Sequence, residues 1–369
     1  MSDVIDVGSE IRALAFLPNR RLCVVAGAES TVQLRHLDGH SAGEPPEPIT
    51  GVFAVATSKD GRWVVAGATD GFSIWDLEKD EVIRHSIGGV RAVDVSSDSS
   101  WVVTGSDDWL ADVWDMSTGE RRPNIEPLRH EYNVISVKFC PCGERIVTAT
   151  LFGVVRIFAA SSGERLHTIP ISVNSTLSVP SVTLAWSVLC SRVIAVSRAQ
   201  VKCFNPDDKS VVCQWPIRSV KCPSSIVLSP NSKLIAYSIN DTVVLRHTDT
   251  YRQIGNTLDH DGDVSCVVFS PRGDYLVAGV ATKFTIWNLR EALPDTYFVD
   301  VGTSIRPYPP DLIVKHKTTS PTRSCINHEP NTTEGSPPVS RQHCGSAANL
   351  ITVLPPPSVC SIVPPHEYL

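Results

Sequence analysis

The chain has 369 residues, a formal net charge of −6 and an ordinary apolar content of 42%. An acidic balance without a block of Lys or Arg disfavours nucleic-acid binding, which usually shows as a basic patch. The eleven cysteines include no Cys-x-x-Cys pair, so zinc-ligand spacing is absent, and no stretch is long and apolar enough to cross a bilayer.

Seven segments repeat one pattern along the chain: an alternating apolar run, a polar turn, a second run, a second turn and a third run. Alternation with a period of two residues predicts β-strands, and the Asp-Gly, Pro-x-Gly and Ser-Pro turns are typical of hairpins. The copies that begin at Gly51, Gly89 and Asp263 are the clearest. In chain order the segments are 11–37, 51–77, 89–116, 133–158, 183–204, 225–247 and 263–289.

The third strands of these copies end at a regular spacing. They end at Arg35, Trp75, Trp114, Phe158, Phe204, Arg246 and Trp287. These positions are about 40–45 residues apart, which is the period of a four-stranded propeller blade. The fourth strand of each blade then falls in the linker that follows, as in segments 81–88, 164–172 and 210–217.

The copies resemble the repeats of the WD40 family. The matching residues are Trp75-Asp76, Trp114-Asp115 and Trp287-Asn288, with the turns Lys59-Asp60-Gly61 and Ser270-Pro271-Arg272-Gly273. The resemblance covers about residues 3–292. The amino-acid sequences of the repeats are similar to those of WD repeat proteins of fungi. It implies an all-β fold, a seven-bladed WD40-type β-propeller, to which we assign residues 1–302. The phosphate loop of the nucleotide-binding modules that some fungal relatives carry is absent from the sequence.

Two segments compete to complete the last blade. A propeller leaves few open strand edges because its blades repeat radially, and WD40 proteins usually close the ring with an N-terminal strand. Residues 3–7 (DVIDV) stand just before the first copy, where a fourth strand is needed. Residues 296–301 (TYFVDV) follow the seventh copy and are the alternative. We favour the N-terminal strand.

The resemblance also implies a polar network. In many WD40 blades a His before the first strand, a Ser or Thr in the second, an Asp in the next turn and the Trp of the third are hydrogen-bonded in a chain. The members present here are His130, His260, Thr104, Thr148, Asp70, Asp108, Trp75, Trp114 and Trp287. No copy has all four; the third has Ser86 in the His slot, and five copies have alanine in the second-strand slot. A half-satisfied buried network is worse than none. We therefore expect packing to hold the blades, and we interpret the two histidines as structural.

No motif of a known catalytic site is present: HExxH, GxSxG, the P-loop and a correctly placed GxGxxG are all missing. Cys140-x-Cys142 stands in a turn where WD40 relatives have Ser-Pro-Asp-Gly. Two thiols do not complete a zinc site, so we interpret them as turn thiols, with a metal or redox role as the alternative. We expect no enzyme activity, no catalytic residue, no metal and no cofactor.

The resemblance places the partner-binding surface at the loops before the first strands and the turns between the second and third strands. Trp109 occupies a turn position where relatives usually have Gly, Phe152 stands in the corresponding turn of the next copy, and Tyr132 in the loop before that copy. Exposed aromatic residues dominate binding energy at interfaces. We predict a patch of these three residues with a polar rim of Arg12, Arg91 and Asp263; the alternative is that the aromatic rings cap the edges of neighbouring blades.

The segment 303–369 changes character, since it is rich in Pro, Ser and Thr and shows little periodicity. Such a composition buries too little apolar surface to fold alone, so we expect a disordered tail. Its Pro-rich stretches suit an extended helix that docks in aromatic grooves, but we favour a passive tail.

These observations favour a non-catalytic protein-interaction scaffold, working as a monomeric propeller within a larger complex. Protein partners are expected, and nucleic acid and membranes are not. The alternatives are a substrate receptor or assembly subunit of a complex such as a ubiquitin ligase, which the lack of an F-box-like helical segment weakens, and a propeller enzyme. Because the acidic N-terminus lacks the pattern of a signal peptide, we expect a cytoplasmic location and leave a nuclear one open.

Overall fold

The computed structural model describes residues 2–18, 22–27, 31–171, 182–197, 199–217 and 225–298. Within these ranges 28 strands form seven antiparallel four-stranded sheets. The only helices in this part of the chain are two 3-10 turns, Leu289–Glu291 and Asp295–Tyr297, and neither has the length or apolarity to cross a membrane. Contacts divide the chain into units 1–315 and 316–369, and the segment predicted to be a tail, 303–369, lies outside the described residues.

Each sheet is one propeller blade. Blades one to three consist of β2 (Ala13–Phe16), β3 (Leu22–Ala26), β4 (Gln33–His36) and β5 (Ser41–Gly43); β6 (Val52–Thr57), β7 (Trp63–Ala68), β8 (Gly71–Asp76) and β9 (Glu81–His85); and β10 (Val90–Val95), β11 (Trp101–Ser106), β12 (Leu110–Asp115) and β13 (Leu128–Arg129). Blades four and five consist of β14 (Val134–Phe139), β15 (Arg145–Thr150), β16 (Val154–Ala159) and β17 (Arg165–Pro170); and β18 (Thr183–Trp186), β19 (Val193–Val196), β20 (Gln200–Phe204) and β21 (Val211–Pro216). Blade six consists of β22 (Ile226–Leu228), β23 (Leu234–Ile239), β24 (Thr242–His247) and β25 (Leu258–Asp259), and blade seven combines β26 (Val264–Phe269), β27 (Tyr275–Val280) and β28 (Lys283–Asn288) with β1 (Ser2–Asp6).

The first strands of the blades form a closed ring. Each of β2, β6, β10, β14, β18 and β22 contacts the first strand of the next blade, and β26 of blade seven contacts β2 of blade one. The chain is therefore a seven-bladed β-propeller, which confirms the predicted fold class.

The N-terminal strand closes the ring, as predicted. β1 pairs antiparallel with β28, in a register that runs from Ser2 opposite Trp287 to Asp6 opposite Lys283. The described part of the competing segment, residues 296–298, does not take that place, since Asp295–Tyr297 is a 3-10 turn and Phe298 is buried in the cluster between blades six and seven. Residues 299–301 lie outside the described residues.

The core consists of seven hydrophobic clusters, and each cluster lies between two neighbouring blades. The alanines in the second-strand slot belong to these clusters or to their buried surroundings; they are Ala26, Ala66, Ala195, Ala236 and Ala278. A small apolar residue at this slot lets neighbouring sheets approach closely and needs no hydrogen-bond partner. Packing of apolar residues between blades thus holds the propeller together, as the sequence predicted.

A bulge at the start of the first strand positions side chains at one end of the propeller, among them Phe53 and Arg91. In blades two, three, four and seven the ladder between the first and second strands skips one residue. The skipped residues are Phe53, Arg91, Ile135 and Ser265. A bulge re-aims a side chain out of the regular ladder. We call the end of the propeller with these bulges, with the loops before the first strands and the turns between second and third strands, the upper face; the opposite end is the lower face.

Candidate functional site

Three exposed aromatic side chains lie on the upper face of blades three and four. Trp109, Tyr132 and Phe152 are 52%, 41% and 48% exposed. The ring centroids of Tyr132 and Phe152 are 4.3 Å apart with their planes inclined by 57°, an arrangement that stabilises aromatic pairs. The carbonyl of Trp109 accepts the backbone N–H of His130 over 2.9 Å, which ties the Trp109 turn to the loop that carries Tyr132. We call these three residues the aromatic cluster.

Trp109 has an unusual backbone conformation for its residue type. Its φ is +70°, in the left-handed region that an L-residue with a Cβ enters at a cost of about 1–2 kcal/mol. The same turn of blade four has Gly153 at this position, with φ of +78°. Residues held in this region cluster at functional sites. The tryptophan therefore costs the fold stability at a place where a glycine would not.

A polar chain runs from the aromatic cluster on blade four to blade three. Asn133, next to Tyr132, donates its side-chain N–H to Asp107 over 2.8 Å, and the Arg91 guanidinium lies 2.8 Å from the same carboxylate. Partial burial alone would raise the pKa of Asp107, but the hydrogen bonds from Arg91 and Asn133 outweigh it and hold the pKa below its ordinary value. Asp107 is therefore charged at neutral pH.

The predicted rim arginines converge on one aromatic ring. Arg91 stacks over Phe53 at 4.0 Å and Arg12 over the same ring at 5.6 Å, a cation–π arrangement. Arg12 also pairs with Glu10 at 3.6 Å. Asp263 lies exposed just before β26 in blade seven, two blades around the ring from Phe53, so it is not part of this stack.

Three residues of this surface, Phe53, Asp107 and Asn133, were not predicted from the sequence. The signal for Phe53 was present, because the segments GVFAV from Gly51 and GVRAV from Gly89 align it with Arg91, and both are the bulged residue of their blade. No comparable signal marked Asp107 or Asn133, since their contact crosses from one blade to the next.

The predicted polar network is present in fragments of two members. Trp114 donates its indole N–H to Thr104 over 3.0 Å in blade three. His130 and Thr148 are 2.8 Å apart in blade four. In blade seven, where alanine fills the second-strand slot, Trp287 donates directly to His260 over 3.3 Å. Each fragment satisfies its own polar atoms without the missing members.

The remaining predicted repeat positions make local contacts. Trp75 donates to Asp80 over 3.2 Å, because its blade has alanine in the second strand. Asp108 accepts from Ser106 within its own turn, and Asp70 is exposed. Within the described part of the chain, Asp108 is thus engaged in its own turn and not in a chain to a histidine.

The two histidines of the network are neutral at neutral pH. Burial and the nearby Arg156 lower the pKa of His130 to about 4, and burial lowers the pKa of His260. The Leu128 carbonyl lies 2.8 Å from Nδ1 of His130, while Nε2 faces the Thr148 hydroxyl. Both ring nitrogens of His130 are engaged within the protein, which fits the structural interpretation.

A thiol cluster lies on the lower face, between blades four and five. The sulfur atoms of Cys140, Cys142 and Cys190 all lie within 4.8 Å of one another. The first two were singled out from the sequence as a pair. The third was not, because it comes from the next blade and meets the pair only through packing of the two sheets.

Comparison with known families agrees with this geometry. The family model for WD40, described as WD domain, G-beta repeat, matches residues 33–76, 81–115 and 252–288. These segments end at Asp76, Asp115 and Asn288, the second residues of the three Trp-Asp-type dipeptides. A search of curated proteins found no match. The chain is thus a seven-bladed β-propeller that carries WD40 repeats at three sites.

Proposed function

We propose that this propeller is a non-catalytic protein-interaction scaffold whose aromatic cluster binds a protein partner. WD40 propellers commonly serve as protein-interaction scaffolds and are generally not enzymes. The observation that carries the proposal for this chain is Trp109, which is 52% exposed and held at a positive φ. A large apolar side chain kept in water at a cost in backbone energy needs a compensating role, and a binding contact supplies one.

The surroundings of the aromatic cluster have the layout of an interface. Protein interfaces have an aromatic or apolar centre and a polar rim, and their energy is concentrated in a few such anchors. Here the Arg91–Asp107–Asn133 chain borders the aromatic side chains. Because Arg91 and Asp107 form an ion pair and neutralise each other, this chain does not favour a charged partner. The proposed partner therefore offers an apolar segment, and the propeller acts as one subunit of a larger cytoplasmic complex.

Capture of partners by the immobilised full-length protein tests the proposal. Phe152→Ala should weaken capture by about thirtyfold or more, the loss expected for an anchor worth about 2 kcal/mol. Val212→Ala is the matched control, since Val212 is 45% exposed but lies on the outer strand β21. A photo-crosslinking residue at position 109 should attach to the same partner, and one at position 212 should not. Equal capture by the Phe152 and Val212 variants would refute the proposal.

A further inference from the structure

One turn recurs on the lower face, between the first and second strands of the blades. A serine at its start accepts the backbone N–H of the residue five positions later, over 2.9–3.0 Å. These serines are Ser58, Ser96, Ser187, Ser229 and Ser270. In three of these turns the serine also bonds to an acidic or amide side chain two residues on, namely Asp60, Asp98 or Asn231.

A third position of the turn connects neighbouring blades. The residue three after the serine has a positive φ, and Ser99 and Ser232 occupy it in blades three and six. Their hydroxyls accept a backbone N–H from the turn of the preceding blade, that of Asp60 over 3.4 Å and that of Val188 over 2.8 Å. Between blades two and three, the three positions are thus Ser58, Asp60 and Ser99, an all-oxygen set.

Between blades four and five, all three positions are cysteine. Cys140 stands in the serine position, Cys142 in the aspartate position, and Cys190 in the connecting position with φ of +58°. Two of the side-chain contacts recur: the sulfurs of Cys140 and Cys142 are 2.9 Å apart, and the N–H of Cys142 points at the sulfur of Cys190 over 3.2 Å. The fold therefore brings three thiols together by the same geometry that elsewhere brings three oxygens together.

The turn itself does not require sulfur. Other blades form it with hydroxyl and carboxylate oxygens, and a thiol is a weaker donor and acceptor than either. What three thiols add is affinity for soft metal ions, which carboxylate and hydroxyl oxygens bind less well. Zn–S bonds of about 2.3 Å place two sulfurs of one zinc site about 3.8 Å apart. The three sulfurs, all within 4.8 Å of one another, need only a small rotation of the exposed Cys142 side chain to reach that spacing.

We propose that Cys140, Cys142 and Cys190 form a three-thiolate site for a divalent thiophilic metal ion such as Zn²⁺. A divalent ion suits the site better than Cu⁺, because three thiolates together with the neighbouring Glu144 concentrate negative charge there. The fourth coordination position is open to water or to Glu144. Cys142 and Glu144 line a cleft with Ser96 and Trp101, so an ion in the cleft reaches the Cys142 thiol.

Binding of an ion at this site is coupled to the loss of the thiol protons. Partial burial alone would raise the pKa of Cys142, but hydrogen bonds from the Cys140 thiol and the Glu144 N–H hold it below the ordinary value. Burial raises the pKa of Cys140. A thiolate is the form of cysteine that binds a metal ion, so the three thiols lose their protons to solvent as the ion enters. Affinity should rise with pH, because binding releases protons.

The test uses the full-length protein, reduced and stripped of metal, titrated with Zn²⁺ against a chromophoric chelator. We expect one tightly bound equivalent, and a thiolate-to-metal charge-transfer band when Co²⁺ replaces Zn²⁺. The triple variant Cys140→Ser, Cys142→Asp, Cys190→Ser installs the oxygen set that blades two and three already use, so it should fold normally. It should lose the band and weaken Zn²⁺ binding by more than the roughly 10- to 100-fold typical of removing an outer partner of a ligand.

A second variant separates this site from the other thiols. Cys213 lies on the outer strand β21, opposite Cys203 and outside the cluster, and Cys213→Ser should bind Zn²⁺ as the wild type does. Equal Zn²⁺ binding by the wild type and the triple variant overturns the proposal. So do a response to Cu⁺ without one to Zn²⁺, and a disulfide among the three cysteines in the freshly purified protein by mass spectrometry. None of these results bears on the aromatic cluster, which lies on the opposite face.

Discussion

The Nε2 atom of His130 lies 2.8 Å from the Thr148 hydroxyl. The histidine is buried, with 8% of its surface exposed. Its other ring nitrogen faces the Leu128 carbonyl, which accepts, so Nδ1 carries the proton and Nε2 accepts from Thr148. The neutral ring satisfies both partners. A protonated ring would place a charge in the core beside the Arg156 guanidinium, which is why burial and Arg156 lower its pKa to about 4.

Stability should therefore fall as the solution becomes acidic. Between about pH 6.5, the ordinary histidine pKa, and pH 4, the folded protein binds fewer protons at His130 than the unfolded chain does. The contribution of His130 is complete above pH 6.5 and is lost as the pH falls toward 4, and it amounts to something on the order of 3 kcal/mol. Urea unfolding between pH 7.5 and 4.5 measures it.

Two histidine variants separate this effect from general acid unfolding. His130→Gln should flatten the pH dependence in that window, although His85 and His260, whose pKa values burial also lowers, retain part of it. His40→Gln, at a histidine whose side chain is 81% exposed, should behave as the wild type. An unchanged pH dependence in His130→Gln would show that the ring is not the source.

Replacing Trp109 by glycine separates binding from folding. The change removes about 1–2 kcal/mol of strain from the left-handed backbone of the folded state. Glycine also makes the unfolded chain more flexible, which lowers the stability of the folded state by about 0.4–1 kcal/mol. The free energy of unfolding should consequently stay within about 1 kcal/mol of the wild type, while partner capture falls by about thirtyfold or more. Thermal melting and quantitative capture are the measurements. If the variant melts much earlier and captures normally, Trp109 is a structural cap on neighbouring blades.

Deletion of residues 1–9 should expose the edge of β28. Five residue pairs between β1 and β28 would be lost, together with packing of Ile5 and Val7 against the cluster between blades seven and one. At about 1 kcal/mol for each hydrogen bond, we expect Tm to fall by about 5–10 °C.

Adding a synthetic peptide of residues 1–9 should restore part of that loss, because an extended peptide can add a strand to an open edge. Removal of residues 361–369 is the matched control and should leave Tm unchanged. A deletion variant that melts as the wild type does would contradict closure of the ring by β1.

Limited proteolysis tests the assignment of residues 303–369 to a tail. The composition of this segment leads us to expect rapid cleavage after about residue 303, leaving a stable fragment close to 1–302. Mass spectrometry of the fragments over time is the measurement. Protection of the segment equal to that of the blades would make the assignment wrong.

The fold was predictable because its information is local. Period-two alternation marks the strands, turn residues mark the hairpins, and a spacing of about 40–45 residues marks the blade. Closure by residues 3–7 also followed, since the missing fourth strand of blade seven left only two segments to choose from. These features depend on residues that are close in sequence, or on the number of strands that each blade needs.

The site was predictable only in part. The spacing of the repeats placed Trp109, Tyr132 and Phe152 on one face. The same spacing put Ser86 in the histidine slot of blade three. In the structure His85, one residue earlier, packs against Trp114 with the ring centroids 5.1 Å apart. The Phe53–Arg91 stack and the meeting of Cys142 with Cys190 depend on bulges, positive φ values and packing between blades. No pattern within one repeat encodes these contacts.

Closure of the last blade by the first strand has a consequence for biosynthesis. Ile5 finds its partner Phe284 only after the whole repeat array has been translated, which takes about 15–60 s at 5–20 residues per second. Throughout that interval β1 is an unpaired strand carrying Val and Ile, tethered to blades that are already forming, and the growing ring is open at both ends. A nascent chain in this state is exposed to pairing with a neighbour on the same messenger RNA. The acidic residues Asp3 and Asp6 within the strand oppose such pairing by charge repulsion until β28 emerges.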